Sequence, residues 1–177
     1  DYAYKGRIYY KTGNLDEAIK AYDNAIEMEA PVQGMYKDLY EIYQEKEDYE
    51  KAAEYLEKEY EQTGSLNDLF KIGFNYYRYV KDYDKADETF ATLIEKVPNL
   101  ETAYYYRAKT RYTAELKDST KAGYSEPVMI DLLDIIDEQV ESGELSEDKA
   151  EKHRKFAYQY LAVRYYQSGR DGKAKTA

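Results

Sequence analysis

"GNLDEAIKAY", residues 13–22, returns in altered form as "EDYEKAAEYL" at 47–56 and "KDYDKADETF" at 81–90. Ala18, Ala52 and Ala86 stand 34 residues apart. Leu15, Tyr49 and Tyr83 keep the same step, as do Tyr22, Leu56 and Phe90. A fixed period of this size marks stacked supersecondary units, none of which can bury its apolar face alone. After the first echo the apolar residues Ala18, Tyr22, Ala25 and Ile26 fall three and four apart, and before it Tyr2, Gly6 and Tyr9 share a face. Both spacings are those of an amphipathic helix. Each echo carries turn residues (Gly13-Asn14, Glu47-Asp48, Lys81-Asp82) followed by an apolar residue and acidic side chains. Negative charge in a first turn favours a helix start. The unit is therefore a helical hairpin. The spacing predicts helix pairs at about 1–12 and 16–30, 33–46 and 50–62, and 67–80 and 84–96.

Composition agrees with this reading and excludes several functions. The chain has 177 residues, 43% hydrophobic and 35% charged, which suits one compact domain or a short array of repeats. No apolar run approaches the roughly 18–20 residues that span a bilayer, so no membrane insertion is expected. The absence of Cys rules out disulfides and thiolate metal sites. A net charge of −10 argues against a phosphate backbone as ligand, and no nucleic acid is expected. With 3 Pro and 9 Gly, long helices are favoured. The 24 Tyr beside 4 Phe and no Trp are expected to be mostly core filler, their polar tips reaching solvent at helix seams.

On these residues the chain resembles the tetratricopeptide repeat (TPR) family. That pattern places a large aromatic, then an aliphatic and a small residue, then Tyr, later Ala, an aromatic and finally Pro. The third unit meets it with Leu69, Ile72, Gly73, Tyr76, Ala86, Phe90 and Pro98, with one extra residue expected in the turn. The first unit meets it with Tyr2, Gly6, Tyr9, Ala18, Tyr22 and Ala25. The second has Tyr36, Leu39, Tyr43, Ala52 and Leu56, but sets Tyr40 where a small residue belongs, which is expected to loosen its packing. The signature returns in Tyr158, Leu161, Ala162, Tyr165, Gly169 and Ala174. Ala86 to Ala174 is 88 residues, two periods plus 20, so a fourth unit carries the excess. Residues 117–125 are expected as a long exposed loop. Ser125 is expected to cap the next helix, with Pro127 in its first turn, and Ser146 to cap an elongated fifth first-helix. The resemblance implies an all-α, right-handed α-solenoid of TPR-like hairpins, with units at about 1–32, 33–66, 67–98, 99–145 and 146–177. Both ends fall inside a repeat, so an excerpt of a longer protein is expected.

Chemistry-bearing patterns are scarce. His153, the single His, lies among charges in "EKHRKF" and is expected at the surface. Without Cys and with one His, zinc sites and nucleophile triads lack material. Asp131, Asp134 and Glu138 share a helix face but lack the Gly-turned loop of a calcium site, so a solvated outer face is expected. No catalytic residue, metal or cofactor is expected, and the chain does not read as an enzyme.

Charge placement says more. In the first second-helix, Asp16, Glu17, Asp23, Glu27 and Glu29 face only Lys20, and the fourth, from Glu126 to Glu141, is acidic with no base. Among first helices, Arg107, Lys109, Arg111 and Lys117 outnumber Glu101 and Glu115, and Lys5, Arg7 and Lys11 outnumber Asp1. The second unit breaks the trend, Asp38, Glu41, Glu45 and Glu47 outnumbering Lys37 and Lys46. In the TPR architecture first helices line a concave groove. The resemblance thus implies a non-catalytic protein–protein interaction module that binds a peptide or protein segment in a locally basic groove. The candidate contacts are Arg7, Tyr10, Phe74, Tyr77, Arg78, Arg107 and Arg111. The cations would meet carboxylates or a chain terminus, and the rings would bury an apolar anchor. The expected partner is a protein or peptide, acidic and with such an anchor. Packing of the same rings against adjoining helices is the competing role for each. A purely structural spacer or dimerisation array with no groove ligand is the rival function, and homo-oligomerisation stays open.

Overall fold

At each echo the backbone makes the same turn. Gly13, Glu47 and Lys81, one per period, take left-handed conformations with φ of 77°, 58° and 63°. The next residue then opens a helix. Asp48 accepts from the Lys51 N–H at 3.3 Å and Asp82 from the Lys85 N–H at 3.1 Å, satisfying first-turn donors. Asn14 at the equivalent place donates to the Thr12 hydroxyl instead.

The structure, a computed structural model, describes residues 2–29 and 33–169. Its helices are α1 (Tyr2–Lys11), α2 (Leu15–Glu27), α3 (Met35–Glu45), α4 (Tyr49–Thr63), α5 (Leu66–Asn75), α6 (Tyr83–Lys96), α7 (Glu101–Lys117), α8 (Glu126–Glu141) and α9 (Glu147–Gln167). All regular structure among the described residues is helical, and none of these helices is long and apolar enough to cross a membrane. The expected all-α class of TPR-like hairpins is the observed one. Ala174, the last residue of the returning signature, lies outside the described residues. The chain packs as two compact units, residues 1–81 and 82–177.

In the N-terminal unit the small residues let helices close on one another. Ala18 and Ala52 are fully buried, in one cluster with Tyr22, Leu39 and Ile42. Gly6 is required on α1, because a Cβ there would lie 2.5 Å from a ring carbon of Tyr22. Tyr40 does not loosen α3. Leu39, Ile42 and Ala52 are 0% exposed and Leu56 1%. Each buried Leu or Ile contributes about 1.5–3 kcal/mol. Tyr40 itself is half-buried in a recess beside Phe70 and Phe74.

The extra residue of the third unit is not in its turn. The connection after α5 is only Lys81-Asp82, whereas α1 and α2 are joined by three residues, 12–14. The insertion is absorbed by a π-helical turn, Tyr76–Val80, that continues α5. Such turns take in one residue by widening the helix rather than breaking it.

In the C-terminal unit Ala86 is fully buried. Val128, Met129, Leu132 and Ile136 of α8 form the core with Ala108 of α7 and Ala157 and Leu161 of α9. Residues 117–125 are held more firmly than an open loop. A 3-10 turn spans Ser119–Lys121, and the Gly123 and Ser125 N–H groups donate to the Glu115 carboxylate at 2.5 and 3.0 Å. Ser125 precedes α8 but does not cap it with its side chain. Its backbone is already helical (φ −83°, ψ −18°), and its hydroxyl bonds Glu115. Pro127 sits in the first turn as expected. Ser146 precedes α9 in extended conformation without a side-chain cap. His153 is not at the surface. It is buried, paired with the buried Glu101 carboxylate and stacked on Tyr105 at 3.7 Å, because α9 lies along α7 there.

Candidate functional site

Five of the candidate contacts fall in the N-terminal unit. Arg7 on α1 reaches α3, its Nε 3.4 Å from Asp38, and also donates to the Gln33 carbonyl at 2.8 Å. Asp38 further accepts from the Tyr22 hydroxyl at 2.5 Å. Burial and that bond push the Tyr22 phenol well above its ordinary range. Tyr10 donates to Glu41 at 2.7 Å, and this bond, followed by burial, raises its pKa to about 12. Arg7 and Tyr10 thus already join α1 to α3. Phe74 meets Tyr79 edge-on at 6.2 Å, and Tyr79 stacks on Tyr49 at 4.5 Å. Tyr77 is partly buried in the π turn. Arg78, next to it, is exposed and has no ion-pair partner among the described residues.

The other two candidates, Arg107 and Arg111 of α7, are committed elsewhere. Asp87 of α6 is 7% exposed and accepts from Arg107 Nε at 2.9 Å and from Arg111 Nε and Nη2 at 2.7 and 2.9 Å. The Tyr124 hydroxyl adds a bond at 3.0 Å, and its ring lies 4.3 Å under the Arg111 guanidinium. Burial alone would push the Asp87 carboxyl up, but the Arg111 and Arg107 bonds outweigh it and hold it below the usual range. A ligand carboxylate would have to compete with Asp87 for both cations. Both arginines of α7 are therefore engaged inside the unit.

A different surface of α7 is available. Between α7, α9 and residues 119–122 lies a recess of about 450 Å³, lined by Tyr112, Leu116, Phe156, Tyr160 and Val163 with Glu115 and Arg164 at its edge. Leu116 is 69% exposed and Val163 57%. Tyr160 donates to Glu115 at 2.9 Å, which anchors the wall. Sequence reasoning missed these residues. The available signal was the apolar spacing of Tyr112 and Leu116, and of Phe156, Tyr160 and Val163, outside the repeat signature.

Asp131, Asp134 and Glu138 rim a second cleft of about 420 Å³ with Tyr104, Arg107 and Ile135. Burial pushes the Asp131 carboxyl up. Among the described residues no group of His, Asp or Glu is arranged to hold a metal ion.

Residues 1–29 and 69–100 each match a family model of the tetratricopeptide repeat. These segments are tetratricopeptide repeats. The C-terminal part of a TPR repeat-containing protein from Cytophaga hutchinsonii superposes with a TM-score of 0.68 at 27% identity, over 99% of this chain. The chain spans 64% of that structure's length, less than two thirds. MamA from AMB-1 superposes at 16% identity, with TM-scores of 0.54 and 0.56 in two crystal forms, over 98% and 99% of this chain and 84% and 91% of MamA. At that identity the likeness concerns the fold alone. No curated protein matches the sequence. TPRs as a class mediate protein–protein interaction and are typically non-catalytic.

Proposed function

We propose that the chain is a non-catalytic interaction module that binds a peptide or protein segment on the faces of its first helices. The observation that carries this reading is the apolar recess between α7 and α9, with Leu116 and Val163 exposed at its mouth. Two aliphatic side chains left in water beside a ring-lined hollow suit an aliphatic or aromatic anchor from a partner. Burying one such anchor contributes about 1.5–3 kcal/mol, the size of an interface hot spot. In the N-terminal unit Phe74, Tyr77 and Arg78 remain the proposed contacts, and Arg7 and Tyr10 of α1 are proposed with them. Arg78 would meet an acidic residue of the partner, contributing about 0–1 kcal/mol because it is exposed and screened. Arg107 and Arg111 would act by shaping α7 against α6 rather than by touching the partner.

A peptide-display screen against the whole chain tests the proposal. The enriched peptides should share an apolar anchor and bind at least about tenfold more weakly to Leu116→Glu or Val163→Glu, a loss of roughly 1.4 kcal/mol. Both variants should melt like the parent, since both positions are exposed. Rising salt should weaken only the part of the affinity that Arg78→Glu removes. Enrichment of no sequence family, or affinity indifferent to Leu116 and Val163, would overturn this reading and leave a spacer role.

A further inference from the structure

We propose that the recess between α3 and the end of α5 is a carboxamide-binding subsite, shaped for an Asn or Gln side chain of a bound segment. This deepens the reading of the chain as a peptide-binding module and rests on it for the identity of the occupant. Asn75 is 1% exposed, yet neither its Nδ2 nor its Oδ1 has a hydrogen-bond partner among the described residues. Gln44 Nε2 is buried and unpartnered as well. Both side chains line one recess of about 80 Å³, walled by Tyr40, Phe70, Phe74 and Tyr79. Native interiors seldom keep a buried amide unsatisfied, because desolvating it is destabilising. Two such amides in one small recess have a direct explanation if a ligand completes them.

The chemistry selects the occupant. Asn75 offers one donor edge and one acceptor edge, whichever way its oxygen and nitrogen are assigned. The complement must carry an acceptor and a donor on neighbouring atoms, as a carboxamide does. A carboxylate presents acceptors only and would set its charge against Oδ1 of Asn75. An ammonium presents donors only and would oppose the N–H groups of Asn75 and Gln44. Lys71 also borders the recess but is already paired with Asp68 at 3.3 Å. The volume admits a planar group of a few heavy atoms, and the surrounding aromatic faces suit a flat one. The recess adjoins the π turn at Tyr76, and such turns are frequent at functional sites.

The test uses the whole 15N-labelled chain and three small probes: acetamide, acetate and methylammonium. Acetamide should shift the side-chain amide resonances of Asn75 and Gln44 saturably, and the two ions should not. The Gln44 response should vanish in Asn75→Leu, and the Asn75 response should weaken at least tenfold in Gln44→Leu. Asn75→Leu should also melt higher than the parent, since an apolar side chain of the same branched shape removes the unsatisfied amide. Should Asn75→Leu fail to fold, Gln44→Leu carries the comparison. Resonances of the folded parent that ignore acetamide, or that answer all three probes alike, would overturn the subsite. So would cross-peaks to bound water that acetamide leaves unchanged. Because no peptide is involved, this result is independent of the display screen. Acetamide binding with no enriched peptide would sink the module reading, not the subsite.

Discussion

Ala52 shows how much a single methyl group decides. It is fully buried among Tyr22, Leu39 and Ile42, and the corresponding Ala18 and Ala86 are also fully buried. Ala52→Leu should cost on the order of 1–3 kcal/mol by overpacking, read as a lowered Tm or denaturant midpoint. Arginines of similar appearance in the sequence behave differently. Arg78→Glu should change stability by no more than about 0.5 kcal/mol, since the side chain is exposed. Asp87→Ala should cost about 3–5 kcal/mol, because it strands the half-buried charges of Arg107 and Arg111. Denaturant titration of the two variants checks the contrast, and equal midpoints would contradict it. Nothing in the sequence distinguished these arginines, since a charge's partner depends on which helix lies opposite.

At the scale of elements, the segment after α7 is the informative one. Its composition reads as an open loop, yet Glu115 gathers the Gly123 and Ser125 amides, the Ser125 hydroxyl and the Tyr160 hydroxyl. Amide exchange should therefore be slow at Gly123 and Ser125 and fast at Ser119. Glu115→Ala should release both protected amides and widen the recess that Tyr160 walls, seen as loss of protection at those two positions. Unchanged protection would mean that the turn itself, not Glu115, holds the segment. The π turn teaches a related lesson. A one-residue insertion is visible in the spacing, but whether it widens a helix or lengthens a turn depends on what it packs against. Here Tyr79 gains the ring of Tyr49.

For the whole molecule the pairing of carboxylates is the dominant electrostatic fact. With a net charge of −10, several acids are answered by phenols rather than cations: Tyr10 with Glu41, Tyr76 with Glu57 and Tyr160 with Glu115, while Tyr124 joins two arginines at Asp87. This accounts for part of the tyrosine excess better than core filling does, since a Phe could not donate. Stability should follow pH accordingly. The Asp87 carboxyl is held below its unfolded value, so its contribution is complete above about pH 4 and is lost as pH falls through the lower, folded value. Asp87→Asn should flatten the acid limb of a Tm-versus-pH curve. A parallel limb in the variant would assign acid unfolding to other groups. The Tyr10 phenol is raised to about 12, so its contribution is full below about pH 10 and fades toward pH 12. Tyr10→Phe should remove one late-titrating phenol from the alkaline absorbance curve.

The period of 34 residues, by itself, determined the helical hairpins, their turns, the buried alanines and the resemblance to tetratricopeptide repeats. These are local or one-dimensional properties: a helix face, a cap and a small residue repeat along the chain because the same contact repeats. Which charges face solvent and which face a partner was decided by tertiary structure alone. Arg107 and Arg111 read as groove cations, and only the approach of α6 showed them bound to Asp87. His153 read as a surface residue, and only the packing of α9 on α7 buried it against Glu101. Leu116 and Val163, and the orphaned amides of Asn75 and Gln44, carry no mark in the sequence. Exposure and hydrogen-bond satisfaction are relations between helices distant along the chain, and a periodic pattern records only what each helix repeats.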